Sequence, residues 1–163
     1  MSNDSKLALV EGILMRAAEQ LGDVTQPAMD HYYHRYPEVR AAFEHHCVGN
    51  RPQLEGEMIE NALYCLMYWY ESPGEIEILL GGSVPHHNDT LNVPPSWYSE
   101  LIDSTAAVIA DTIPAGNADE LAIWQELRDD LRKLIDDCGK YVARTPEAFP
   151  HACNAGYTAA PTP

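Results

Sequence analysis

The sequence predicts an all-α fold of six to eight helices, and three observations carry that prediction. Apolar residues recur at spacings of three and four along most of the chain, the period of a helix with one buried face. No stretch shows the sustained alternation of apolar and polar residues that marks a half-buried strand. Prolines and glycines cluster between the periodic stretches rather than within them, where they act as breaks.

Leu7, Val10, Ile13, Leu14, Ala17 and Leu21 mark a first amphipathic helix that Gly22 ends. Thr25 is placed to cap a second, with Pro27 in its first turn, running through Met29, Tyr32 and Tyr33 to Tyr36. Pro37 opens a short helix to Phe43, and residues 45–50 form a polar corner. Arg51-Pro52 begins a long helix to about Glu71, with Leu54, Met58, Ile59, Ala62, Leu63, Leu66, Trp69 and Tyr70 on one stripe. Ser72-Pro73-Gly74 breaks it, and Glu75 to Leu80 gives another turn or two before Gly81-Gly82. Proline is tolerated in a first helical turn, so Pro85 predicts a short helix starting near Ser83 and carrying His87. Pro94-Pro95 stops that helix and primes the next, to Thr112. Beyond Pro114-Ala-Gly-Asn117, a last helix runs from Asp119 to about Tyr141, with Leu121, Trp124, Leu127, Leu131, Leu134, Ile135 and Cys138 inward. Residues 1–143 form one domain; 144–163, rich in proline and alanine, reads as a flexible tail with an ordered turn near Phe149.

Composition narrows the function. A chain of 163 residues can bury a substantial core. Its net charge of −15 argues against nucleic acid and anionic membrane as partners. No run approaches the length of a membrane span, and Met-Ser-Asn-Asp-Ser at the start lacks a signal-peptide pattern. The four cysteines, Cys47, Cys65, Cys138 and Cys153, show no CxxC spacing and read as thiols in a reducing compartment. A cytoplasmic protein is the expectation.

Chemistry concentrates in the run His87-Asn-Asp-Thr-Leu91-Asn-Val93-Pro-Pro95-Ser-Trp-Tyr98. A neutral imidazole is a good axial ligand for haem iron. Here it precedes a helix end, a tight corner with apolar Leu91 and Val93, and a new helix that carries Tyr98. Ser83, one turn earlier, is placed to take the second imidazole N–H and fix the ring. His86 points about 100° away on the same helix, so only one of the pair can face a metal. A second tract, Pro37-Glu-Val-Arg-Ala-Ala-Phe43, sets a phenylalanine six residues after a proline, in a chain with two phenylalanines.

Both tracts resemble the globin superfamily. The His87 run is similar to the proximal corner of vertebrate haemoglobin, and the Pro37–Phe43 tract to the globin domain of bacterial flavohaemoglobins. The resemblance implies a globin fold around a haem b pocket, with His87 as proximal iron ligand and Phe43 stacked on the haem face. Counting back by the haemoglobin interval places Met58 over the iron, as a candidate sixth ligand or a soft core filler. It also sets Ile59, Ala62, Leu63 and Leu66 inside and Glu57, Glu60 and Asn61 outside. The flavohaemoglobin interval would put Glu55 there and bury Glu60, an expensive unpaired carboxylate, so the Met58 register is preferred. Met29 falls where flavohaemoglobins carry a hydrogen-bonding tyrosine. The implied pocket is then His87, Phe43, Met58, Ala62, Met29, Leu66, Leu91, Val93 and Tyr98. Trp124 matches a tryptophan that packs near the pocket in bacterial globins. His45 and His46 are alternative distal or propionate groups, and the His31/His34 pair is a weaker metal candidate.

The resemblance implies a bacterial-type single-domain globin that binds dioxygen, nitric oxide or carbon monoxide, as gas binder, redox protein or sensor. Nitric oxide dioxygenase or peroxidase turnover would need an external reductase, and sensing a signalling partner. Pairing of the last two helices would make a homodimer. The alternative is a haem-free globin-fold module that acts through a protein partner.

Overall fold

The computed structural model describes the backbone of residues 1–46 and 49–142, and the side chains of 1–44 and 49–140. Seven helices occupy them: α1 (Asn3–Leu21), α2 (Thr25–Arg35), α3 (Pro37–His46), α4 (Arg51–Tyr68), α5 (Pro73–Leu91), α6 (Pro95–Ala110) and α7 (Ala118–Val142). The fold is all-α, and no strand occurs among the described residues. The tail expected over 144–163, its turn near Phe149, Cys47 and Cys153 lie outside the described residues.

Local chemistry explains most boundaries. Ser2 caps α1 by accepting from the Ser5 N–H at 3.2 Å, starting the helix before the first apolar residue. Gly22 ends it with φ 65°, a conformation open to glycine at little steric cost. Thr25 is not the cap of α2. Asp23 does that work, its carboxylate accepting from the Thr25 N–H at 2.9 Å, which also holds its pKa below the ordinary value. Asn50 caps α4 by accepting from the Gln53 N–H. The corner predicted over 45–50 is shorter, because α3 continues to His46.

The largest departure from expectation is α5. Gly81-Gly82 and Pro85 predict a break and a short helix, yet one helix of 19 residues passes through all three. Pro85 removes one donor and interrupts one rung of the ladder. Packing outweighs that loss: Ile76, Leu80 and Val84, spaced by four, are all buried, and α5 packs against α7. The helix ends at Asn92, whose φ of 54° makes the left-handed cap.

Helix α6 is the hub, packed chiefly on α7 and α2. Its buried Leu101, Ile102, Ala106 and Ile109 meet Ile123, Trp124, Leu127 and Leu131 in a single core. Trp124 donates its indole N–H to the Ala106 carbonyl at 2.9 Å, tying α7 to α6. Arg16 and Glu120 form a two-pronged ion pair between α1 and α7, with N···O distances of 2.7 and 2.8 Å. Asp103 of α6 takes Arg132 and Arg128 from α7.

Helix α7 passes tightly over the start of α6 at Gly139, where an added Cβ would stand 3.0 Å from both Cβ and Cγ of Pro95. Alanine is favoured over glycine inside a helix by about 1 kcal/mol. The pyrrolidine ring cannot rotate aside, however, and overpacking costs about 1–3 kcal/mol. Gly139→Ala is therefore expected to lower stability by about 1 kcal/mol, read as a reduced urea midpoint. A raised midpoint would show that α7 shifts freely on Pro95.

Candidate functional site

A cavity of about 370 Å³ opens between α4, α5 and α6, within the range of small-molecule sites. Helix periodicity builds its walls. On α4, Leu54, Glu57, Met58, Asn61, Ala62 and Cys65 line it, the stripe expected of one helical face. On α5, Leu79, Ser83, His87 and Leu91 stand four apart in one row. That row exists because α5 is continuous; the predicted break would have put Leu79 and His87 on separate elements. Trp97, Tyr98, Leu101 and Ile102 of α6 close the third side, Val93 the corner, and Tyr32 and Phe43 reach in from α2 and α3.

Depth follows from burial. Tyr32, Ala62, Cys65, Leu80, Leu101 and Ile102 are buried and form the floor. Glu57, Asn61, Leu79 and Leu91 are exposed and form the mouth.

Among the described residues, His87 is the one histidine that lines the cavity. Its Nδ1 lies 2.8 Å from the Ser83 carbonyl oxygen, one turn back. A carbonyl only accepts, so Nδ1 carries the proton, and in the neutral ring Nε2 keeps its lone pair. The Val93 N–H donates to the His87 carbonyl at 3.3 Å, folding the corner that brings Val93 into the same lining as His87. Tyr98 meets His87 edge-on, with ring centroids 5.8 Å apart, and its hydroxyl points at the same Ser83 carbonyl from 3.5 Å. Burial pushes the Tyr98 phenol up to about 12, so it stays protonated at neutral pH. Burial likewise raises the Cys65 thiol to about 11, which leaves little thiolate for nucleophilic chemistry.

The arrangement provides one imidazole nitrogen able to bind a metal, set in an otherwise apolar chamber. No family model matches the chain, and no curated protein or solved structure matches it.

Of the residues singled out in the sequence, His87, Phe43, Met58, Ala62, Leu91, Val93 and Tyr98 come together around the cavity. Met29 and Leu66 do not: each is 1% exposed, packed in the core and absent from the lining. On α4 the lining stripe centres near Met58 and Cys65, and Leu66 points about 100° around from Cys65, toward the side of Ile59. Tyr32, three residues after Met29, reaches the cavity in its place. Glu57 and Asn61 are exposed, as the Met58 register has it, yet they also frame the mouth. Glu60 is exposed; Glu55 is off the cavity, accepting from Arg51 at 2.6 Å and from the Tyr33 hydroxyl at 2.8 Å. Trp124 is core and not pocket. The side chains of His45 and His46 lie outside the described residues. His34 is exposed and His31 half-buried, and among the described residues no group of three or more His, Cys, Asp or Glu side chains could hold a metal ion.

Sequence reasoning missed Tyr32, Cys65, Ser83 as a wall, Leu79, Leu80 and Trp97. Spacing by four from His87 back to Leu79 was the available signal. The break assigned at Gly81-Gly82 hid it.

The Tyr32 hydroxyl donates to the Trp97 carbonyl at 2.9 Å, locking α2 to the start of α6, and burial raises its pKa far above the ordinary phenol value. Tyr32→Phe is expected to lower stability by about 1 kcal/mol, the net worth of one hydrogen bond, measured by urea unfolding. An unchanged midpoint would mean that the bond is not formed in solution.

Proposed function

We propose that this chain is a b-type haem-binding protein of the globin kind, which takes small diatomic ligands at an iron held by His87. One observation carries the reading. His87 has its Nδ1 proton engaged by the Ser83 carbonyl, and the ring faces an apolar cavity lined by Phe43, Met58, Ala62, Leu91 and Val93. Metal-bound histidines almost always donate the other ring N–H to an acceptor of this sort, which fixes the ring and raises its basicity.

The residues present fit the group. The His87 imidazole would supply a nitrogen ligand to the iron, and the aromatic and aliphatic side chains would pack against the macrocycle. Among the described residues the lining holds no Lys or Arg, so the carboxylates of a bound haem would find no cationic partner there and would need to stay hydrated. Apolar burial decides the balance. Each 100 Å² removed from water contributes roughly 2.5 kcal/mol, while one exposed like charge a few ångströms away opposes it by about 1 kcal/mol. When bound, haem supplies an iron centre for diatomic ligands and one-electron chemistry. The chain's own residues hold that centre and limit access. Ser83 orients His87, Leu91 and Val93 exclude water on its side, and Met58 and Ala62 offer an apolar wall with Met58 as a candidate sixth ligand. Turnover of nitric oxide or peroxide would require a reducing partner, and sensing a partner that distinguishes ligand states.

The test is the absorption spectrum of the purified chain supplied with haem, ferric and dithionite-reduced. The expected result is a strong Soret band saturating at one haem per chain. In the reduced spectrum, sharp split visible bands indicate a sixth protein ligand and one broad band an open site. A well-folded chain with no Soret band overturns the reading and leaves the haem-free interaction module.

A further inference from the structure

We infer that the cavity admits neutral ligands and turns away anionic ones, and that Glu57 sets this selection. Among the described residues the lining includes one carboxylate, Glu57, and no Lys or Arg. That carboxylate stands at the mouth, since Glu57 is exposed while the floor is buried. Its Oε1 accepts from the Gln53 amide, one turn back on α4, at 2.9 Å. The adjoining mouth residue, Asn61, uses one of its two amide N–H groups on the Glu57 backbone carbonyl at 2.8 Å and carries no charge to offset the carboxylate. The cation of the first turn of α4, Arg51, is engaged by Glu55 and Glu44 and lies outside the lining.

Behind the mouth the walls are apolar, and low-dielectric walls focus the field of a charge at an opening. The whole chain carries −15, the same sign. A neutral molecule crosses this entrance at no electrostatic cost, whereas an anion meets repulsion and then loses its hydration against walls that are mostly apolar. At a haem iron in this cavity, the ligands so favoured are neutral diatomics, over azide, cyanide or nitrite.

The inference concerns the cavity that the proposed haem reading also uses, but its test runs on the full chain without haem, so the two can fail separately. Two probes share one apolar body: neutral N-phenyl-1-naphthylamine and its sulfonate, 8-anilinonaphthalene-1-sulfonate. Fluorescence titration at low salt is expected to give tighter binding of the neutral probe. In Glu57→Gln the affinity ratio should narrow by about fivefold, the factor one unit charge a few ångströms away supplies through solvent. Glu57→Lys should narrow it further. Glu60→Gln, which removes an exposed carboxylate outside the lining, should leave the ratio unchanged. Filling the cavity with Ala62→Phe should weaken both probes. Equal ratios in the wild type and both Glu57 variants overturn the inference. So does a Glu60→Gln shift as large as that of Glu57→Gln, which would assign the effect to net charge. Undiminished binding of both probes to Ala62→Phe also overturns it.

Discussion

Replacing His87 by alanine is expected to abolish stoichiometric haem binding while leaving the helical fold intact. The Soret band should collapse, and haem affinity should fall by at least on the order of a hundredfold, the upper end of what removing a mere supporting partner of a metal ligand costs. Folding should be little disturbed. His87 is half-buried at the cavity wall and absent from the buried core, and its side-chain hydrogen bond goes to a backbone carbonyl of its own helix. His86→Ala is the internal control, because His86 is exposed and lies outside the lining. Free imidazole added to His87→Ala should restore part of the band, since the vacated space opens on the apolar chamber. An undiminished Soret band in His87→Ala, with a normal far-ultraviolet spectrum, would move the iron ligand elsewhere.

How much of this was legible in the sequence depends on which physical term decides each element. Where local chemistry decides, reading works: Gly22, Pro37, Pro52, Pro73 and Pro95 all stand at helix ends. Where packing competes with local chemistry, it fails. Pro85 looks like a first-turn proline because nothing local shows that Ile76, Leu80 and Val84 bury one stripe along the entire helix.

The site divides in the same way. His87, Leu91, Val93 and Tyr98 sit on one short run, so their mutual placement follows from a helix end and a corner. Across the cavity, counting intervals gives a position along α2 or α4 but not the angle around it. Met58 and Ala62 fall on the lining face of α4. Leu66 and Met29, chosen by the same counting, point into the core. No pairing in the sequence announces that the Tyr32 hydroxyl would be committed to the Trp97 carbonyl, and that commitment governs which donors the cavity can offer.

That commitment leads to the second large effect. Dioxygen carrying partial negative charge is retained by a hydrogen-bond donor, and the two phenols that line this cavity are engaged. Tyr32 donates to Trp97, Asn61 to the Glu57 carbonyl, and the protonated Tyr98 hydroxyl lies on the His87 side, next to Ser83. Met58, on the α4 wall, brings only a thioether, a weak acceptor without a proton. The reduced, haem-loaded protein is therefore expected to release dioxygen quickly and to oxidise readily. Met58→Gln keeps an unbranched side chain of similar length and places two amide N–H donors on the same wall. One hydrogen bond of about 1.4 kcal/mol, near the top of the usual net range, corresponds to a tenfold change. Stopped-flow displacement of dioxygen by carbon monoxide should show dissociation slowed by about tenfold in Met58→Gln. Carbon monoxide, which develops less negative charge, should dissociate at a rate changed by less than about twofold, a difference too small to require a full hydrogen bond. Met58→Leu, apolar and of similar volume, should behave as the parent does toward dioxygen. If the parent and Met58→Leu already hold dioxygen as tightly as Met58→Gln, a donor reaches the ligand from another wall, with the Trp97 indole N–H or the second Asn61 amide N–H as lining groups able to supply it.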